Sequence, residues 1–259
     1  MPIITLTTDL GLKDYYVSSV KGAIFSQYPE ATIVDITHQV PKYDIAQAAF
    51  IIKNVYQDFP KGTIHIIGVR PEGGANKSHV ALFKDGHYFI GSDNGMFSLI
   101  FDSDPDKLVE LKINQDTDII TFPTKDIFVK AACHIARGGT LEVIGTPRSA
   151  VIQRSLFQPV IDGNIIRGAV IYTDSYGNVI TNITKQLFKE VGKGRSFIIY
   201  FRQSSYNLTE LSANYNDVDD GDALALFGAT GLLEIAINLG NASQLLGLRV
   251  NETIRIEFN

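Results

Sequence analysis

The chain has 259 residues, enough for one large domain or two modest ones, and its 45% hydrophobic and 20% charged residues are an ordinary globular composition that builds a core without staples. Its 23 Lys and Arg against 28 Asp and Glu leave a formal charge of −5, which argues against a general nucleic-acid binder, because that function needs a basic face to displace counterions. A single cysteine, Cys133, excludes a disulfide framework and a multi-cysteine zinc site, and its neighbours Ala131, Ala132, Ile135 and Ala136 predict a buried, inert thiol.

The first half alternates strand and helix signals. Ile3–Thr7 reads as a strand, Tyr15–Gln27 as a helix with apolar positions at Val17, Val20, Ala23 and Ile24, Thr32–Asp35 as a strand, Asp44–Gln57 as a helix and Thr63–Val69 as a strand. Apolar strands separated by amphipathic helices predict a mostly parallel sheet covered on both faces. His79–Phe83 and Tyr88–Ser92, joined by Lys84-Asp85-Gly86-His87, read as a hairpin added to it, and Asp126–Arg137 as a helix stopped by Gly138-Gly139. The second half changes to short strands at Ile165–Thr173, Val179–Thr181, Phe197–Phe201, Ala223–Phe227, Leu232–Ile237 and Thr253–Phe258, with few helices and with turns rich in Asn, Asp and Gly, the rhythm of a small antiparallel barrel or sandwich. The expected organisation is therefore an α/β domain over 1–158, a linker at 159–167 marked by Pro159 and Asp162-Gly163-Asn164, and an antiparallel β domain over 168–259. The opening MPIITLTTDL lacks the basic start and apolar run of a signal peptide, and no window approaches the roughly 18 apolar residues of a membrane span, so a cytoplasmic protein without a membrane partner is expected.

Thr7-Thr8-Asp9-Leu10-Gly11 follows the first strand directly, where an open parallel sheet binds its ligands. A carboxylate placed there can accept both hydroxyls of a ribose; the plainer alternative has Asp9 making a turn and Asp14 capping the helix. Gly73–Ser78 resembles a phosphate loop only superficially, since it lacks the glycine before Lys77 and leads into a strand rather than a helix. The five histidines show no i,i+4 pair, so no metal site is expected, and no Gly-X-Ser-X-Gly elbow supports a serine hydrolase. The densest polar cluster runs from Thr173 to Asn182 and sets Asp174, Tyr176, Asn178 and Asn182 around a tight turn. An amide side chain can read an adenine edge because it offers a donor and an acceptor together, and a turn alone does not call for Asn182.

In this order and spacing, Thr8-Asp9-Leu10-Gly11 with Asp14, Asp35-Ile36-Thr37-His38, Ser92-Asp93-Asn94-Gly95, Thr121-Phe122, Asp174–Asn178 through Thr181-Asn182, and Gly231–Ala236 resemble the S-adenosyl-L-methionine (SAM) hydroxide adenosyltransferases, or SAM hydrolases, the superfamily that includes the fluorinase and chlorinase. The resemblance runs essentially end to end. It implies SAM or adenosine as substrate or ligand, no further cofactor, and a homotrimer whose ligand lies between the N-terminal domain of one subunit and the C-terminal domain of the next. By position, it implies that Asp9 holds the ribose hydroxyls, Tyr43 and Phe122 flank the nucleoside, and Asn178, in the turn with Tyr176, bonds the adenine. Asp14 and Asp174 then face the methionine ammonium, and Ala229-Thr230 lies by the methionine carboxylate.

The family reaction is an in-line attack on the ribose 5′ carbon with methionine leaving from a sulfonium. The leaving group is already activated, so the protein has to align and desolvate the attacker. In the hydrolases an Asp/Arg/His trio positions or activates water. Here those places hold Arg70, in Arg70-Pro71-Glu72-Gly73-Gly74, then Lys77 and Pro123. Three readings stay open. The chain transfers the adenosyl group to water through Glu72, Thr124 and Lys77, or to another anion near Arg70. Alternatively it is a catalytically silent binder of adenosine or SAM, acting as a sensor, or its pocket has been remodelled for another nucleoside or anion.

Overall fold

The computed structural model describes residues 2–72, 78–113, 121–201 and 203–259, with backbone only over 203–206. The chain divides into two units, Met1–Leu156 and Phe157–Asn259. The first is built on a seven-stranded sheet of β1 (Ile3–Thr8), β2 (Thr32–Thr37), β3 (Ile64–Gly68), β4 (His79–Lys84), β5 (His87–Ser92), β6 (Lys107–Leu111) and β7 (Gly145–Pro147), in the order β2-β1-β3-β5-β4-β6-β7. Pairing is parallel from β2 through β1 and β3 to β5, and antiparallel from β5 through β4 and β6 to β7. The two-residue turn between β4 and β5 puts Asp85 at φ 53° and Gly86 at φ 89°, the doubly left-handed geometry that suits an Asp-Gly hairpin.

Every residue of β3 is buried, because the sheet is covered on both sides. On one face Ile4, Leu6, Ile64, Ile66 and Ile90 pack under α1 (Tyr16–Gln27) and α4 (Val129–Ala136). On the other, Ile67, Val80, Leu82 and Phe89 pack under α2 (Ile45–Lys53) and α3 (Phe97–Ile100). The short α5 (Leu141–Ile144) leads into β7. Asp44 caps α2 by accepting from the N–H groups of Ala46 and Gln47. That helix stops at Lys53, short of the expected Gln57, and residues Tyr56–Asp58 form a separate 3-10 turn. Asp14 does not cap α1; Tyr15 stands at that position without a side-chain cap, which removes the plainer structural role considered for Asp14. The chain enters α4 through a π-helical turn, Thr124–Phe128, two residues ahead of the expected start. Cys133 is fully buried, and burial pushes its thiol up to about 11.

In the second unit β8 (Val160–Asp162), β9 (Ile165–Thr173), β10 (Val179–Thr184), β11 (Phe197–Phe201), β12 (Gln203–Leu208), β13 (Ala223–Phe227), β14 (Leu232–Ile237) and β15 (Thr253–Phe258) form one antiparallel sheet. Its path is β12-β11-β15-β9-β10-β14-β13, with β8 added on β9, and its two ends approach each other, so the sheet is nearly a closed barrel. The stretch expected as a linker thus supplies β8 and the turn into β9. Helix α6 (Lys185–Gly192), absent from the sequence reading, is capped by Thr184 and drives Phe188 edge-on into Phe197, Phe227 and Phe258. The last helix, α7 (Ala242–Leu245), is capped by Asn241. Among the described residues no helix is long and apolar enough to cross a membrane.

One polar chain runs through the core of the first unit. Thr5 Oγ1 is hydrogen-bonded to His65 Nδ1 at 2.7 Å, and His65 Nε2 lies 3.4 Å from His87 Nδ1. Burial, and secondarily His87, hold the His65 imidazole down to about 3; burial likewise lowers His87. Both rings are therefore neutral in the fold, whereas in the unfolded chain each gains a proton near the ordinary value of about 6.5. The stability His65 contributes should be fully present above that pH and fall as the pH drops from about 6.5 towards 3, because at this residue only the unfolded state takes up a proton there. Thermal melting across that range should show a shallower loss in His65→Gln; an identical slope would exclude His65 as its source.

Candidate functional site

β1, β3 and β5 are buried on both faces, and apart from the Thr5–His65–His87 chain their polar residues lie at or just past the carboxyl ends. Asp9 follows β1 and is only 5% exposed. Its Oδ2 accepts from the Tyr43 N–H at 2.8 Å, its carbonyl accepts from Lys42 Nζ, and Oδ1 forms no hydrogen bond with any described residue. Tyr43 reaches this bond with a left-handed φ of 65°, a conformation costing a bulky residue about 1 kcal/mol or more, and its ring stands out in solvent. Gly11, at φ 74°, turns the chain so that its N–H meets the His38 carbonyl, and His38 Nδ1 is hydrogen-bonded to Thr8 Oγ1 at 2.8 Å. The structure thus brings Asp9 and Tyr43 together. Phe122 is half-buried and meets Tyr16 edge-on at 5.5 Å, at the head of α1, while Asp14 is exposed.

At the end of β3 the close approach is between Gly68 and Thr124. A Cβ on Gly68 would lie 2.7 Å from both Thr124 Oγ1 and Cγ2, so only glycine lets the π-helical turn sit against the strand. Thr124 is fully buried and its Oγ1 has no partner among the described residues; the same holds for Ser92 Oγ at the end of β5 and Thr7 Oγ1 in β1. Unpartnered buried hydroxyls are uncommon and mark places where a small polar guest can be received. Arg70 is exposed at φ 47°, and its carbonyl and that of Val69 accept from Asn94 Nδ2. Glu72 is also exposed, and no ion pair or side-chain hydrogen bond joins Arg70 or Glu72 to another described residue. Lys77, with 73–76, lies outside the described residues. Asp93 is fully buried, with Oδ1 accepting from the Ile152 N–H and the Arg148 guanidinium 3.0 Å from Oδ2, an ion pair that ties the 148–152 segment down.

In the second unit the Asp174–Asn178 turn organises itself. Asp174 Oδ1 accepts from the N–H groups of Tyr176 and Asn178, and its Oδ2 accepts from Asn178 Nδ2 at 3.0 Å. Gly177 takes φ 87°, and a Cβ there would run into Asn241. Asn178 is buried with its amide oxygen and one amide hydrogen still free of the Asp174 bond, while Tyr176 is exposed. Asp174, Tyr176 and Asn178 line a cavity of about 740 Å³ together with Tyr215, Asn238 and Asn241. Asn238 and Tyr215 escaped the sequence reading. Asn238 had a signal, standing just past the Leu232–Ile237 run; Tyr215, on an irregular turn, had none. Asn182 is a correction. Its Oδ1 accepts from the Ala169 N–H, beside the irregular pairing of β9 and β10, and its Nδ2 donates to the Phe157 carbonyl, and it is not among the residues lining this cavity. Ala229 and Thr230 are exposed in the β13–β14 turn and are not part of the cavity wall. Among the described residues no three His, Cys, Asp or Glu side chains converge as metal ligands.

Comparison with known proteins covers both units. Residues 4–145 match the family described as SAM hydroxide adenosyltransferase N-terminal domain, and residues 168–255 match its C-terminal domain. The chain is 28% identical, over 96% of its length and 97% of the relative's, to a Thermus thermophilus protein named (R)-S-adenosyl-L-methionine hydrolase. It is 23% identical, over 99% and 97%, to a Nocardia brasiliensis protein named fluorinase. An uncharacterized conserved protein from Thermotoga maritima, known from its crystal structure, superposes with a TM-score of 0.88 at 29% identity, covering 98% of this chain and 99% of that one.

Gly68→Ala should cost about 1–3 kcal/mol of stability by forcing Thr124 outward. Combining it with Thr124→Ala should recover most of that loss, since the two sites touch. Denaturant unfolding of the two single variants and the double checks this; additive losses would mean that the strand and the π-helical turn do not press on each other.

Proposed function

The chain belongs to the SAM hydroxide adenosyltransferase family, and from that premise we propose that it binds SAM through its adenosine moiety and transfers the adenosyl group from the sulfonium to a nucleophile, releasing methionine. The observation that carries this reading is Asp9, a nearly buried carboxylate at the carboxyl end of β1 with one oxygen held by the Tyr43 N–H and the other open to a ligand. A ribose offers two adjacent hydroxyls to such a group, and hydrogen bonds to a carboxylate are the stronger kind.

The remaining roles follow by position. Asn178 reads the adenine edge with its amide, and Tyr43 and Phe122 flank the nucleoside. Asp14 and Asp174 face the methionine ammonium, Asp174 with both oxygens already engaged in its own turn. Ala229-Thr230 lies near the methionine carboxylate. In the reaction a bond forms between the nucleophile and the 5′ carbon as the C–S bond breaks, and its electron pair goes to sulfur to give neutral methionine. No general acid is needed, so the protein contributes alignment and exclusion of water. The unpartnered Thr124 hydroxyl, fully buried against Gly68, is the group best suited to hold the attacker. The family includes relatives named hydrolase and fluorinase, so membership alone leaves the nucleophile open. Water activated through Glu72 or Lys77, or an anion drawn to Arg70, are the two routes this chain's residues support. We also propose the homotrimer that the family resemblance implies, which light scattering tests.

The second reading, a silent binder, is favoured by one feature: Pro123 occupies the place of a family histidine and carries no titratable group, while Arg70 occupies that of an acid.

Calorimetry with SAM and with adenosine should show binding that Asp9→Ala weakens more than about tenfold. Absence of binding, or an unchanged Asp9→Ala, would sink the reading. Chromatography after incubation with SAM should show methionine with adenosine or another 5′ adduct, and Thr124→Val should slow its release while binding persists. Binding without any release of methionine selects the silent reading.

A further inference from the structure

We propose that Glu234 is a positioning residue for the candidate ligand cavity: by accepting a hydrogen bond from the Tyr215 hydroxyl it locks the ring that walls the cavity opposite a planar base. The inference rests on the reading that an adenosine moiety sits beside Asn178.

Strand β14 alternates. Leu233, Ile235 and Ile237 enter the barrel core, so Glu234 falls on the outer face with Ala236. Its cross-strand neighbours are Ile180 and Leu226, and Leu224, Leu226, Ala236 and Val218 form a small apolar patch on that face. Glu234 is only 7% exposed there. A carboxylate in such a place is costly, and a well-packed apolar residue of similar size would serve stability as well or better. What the carboxylate does that leucine cannot is accept the Tyr215 hydroxyl, at 2.6 Å from Oε1. The other oxygen, Oε2, lies where a Cβ on Gly228 would approach to 2.7 Å, so Gly228 leaves room for the carboxylate.

Tyr215 is fastened from the opposite side as well. It begins the turn Tyr215–Asp217, which Asn214 and Asp217 close with a reciprocal capping box. Asp217 Oδ2 also accepts from the Ala213 N–H, and Asn238 Nδ2 donates to the Val218 carbonyl just beyond the turn. The backbone is thus held at both ends, and the Glu234 bond removes the remaining freedom of the ring. Burial raises both groups, and on the Tyr215 side Glu234 and Asp174 add to it, so the phenol keeps the proton it donates. A wall immobilised before the ligand arrives lowers the entropy cost of binding.

The test is calorimetry with adenosine on the full chain, beside melting curves. Glu234→Leu and Tyr215→Phe should each weaken binding about tenfold, and the double variant no further than either, because both remove the same bond. Glu234→Gln, which keeps an acceptor, should stay within about threefold of the parent. A merely structural role would lower the melting temperature without this rescue or this non-additivity. If Glu234→Leu does not fold, Gly228→Ala, whose methyl group crowds Oε2, replaces it with the same expectation. Parent-like binding by Tyr215→Phe and the Glu234 variant, or additive losses, would overturn the inference while leaving Asp9→Ala weakened. A parent chain that binds no adenosine would overturn the underlying reading as well.

Discussion

Burial of β1, β3 and β5 on both faces confines polar chemistry in the first unit to the strand ends. Inside the sheet a polar group must find its partner within the core, as Thr5, His65 and His87 do for one another. At the carboxyl ends the apolar cover stops, and Asp9, Arg70 and Ser92 appear there, just past or at the last residues of adjacent strands. The parallel topology therefore selects where a ligand can be held before any particular side chain is considered.

Two close approaches shape that rim. Tyr43 accepts a left-handed backbone so that its N–H can meet Asp9, and Gly68 gives up a side chain so that Thr124 can lie against β3. Each spends local stability on geometry, the pattern expected where a site must be pre-organised. The π-helical turn that begins at Thr124 belongs with them, because it sets the buried hydroxyl over Gly68.

The barrel reaches the same end by different means. Its strands alternate inward and outward, so polar residues reach the surface along the strands as well as at the turns. The cavity wall is assembled from a self-capped turn at Asp174–Asn178, the residues just after β14, and the irregular connection carrying Tyr215. Asn182 shows how a polar residue beside such a turn can be structural: its amide satisfies the Ala169 N–H beside the irregular β9–β10 pairing and the Phe157 carbonyl ahead of β8.

The alternation of strand and helix, the change of rhythm near Gln158–Gly168, the Asp-Gly hairpin and the family markers were all open to reading from the chain alone, because each is local or repeats at a fixed period. The strand β6, the edge strand β7 and the helix α6 were not, being short elements whose formation depends on a partner already in place. Nor was the Tyr215–Glu234 bond, the Gly68–Thr124 contact or the true role of Asn182. Periodicity tells which face a residue occupies. Which residue meets it from 13 to 60 positions away, as Asn182 meets Ala169 and His65 meets Thr5, follows from strand register and loop path, and only the folded chain sets those.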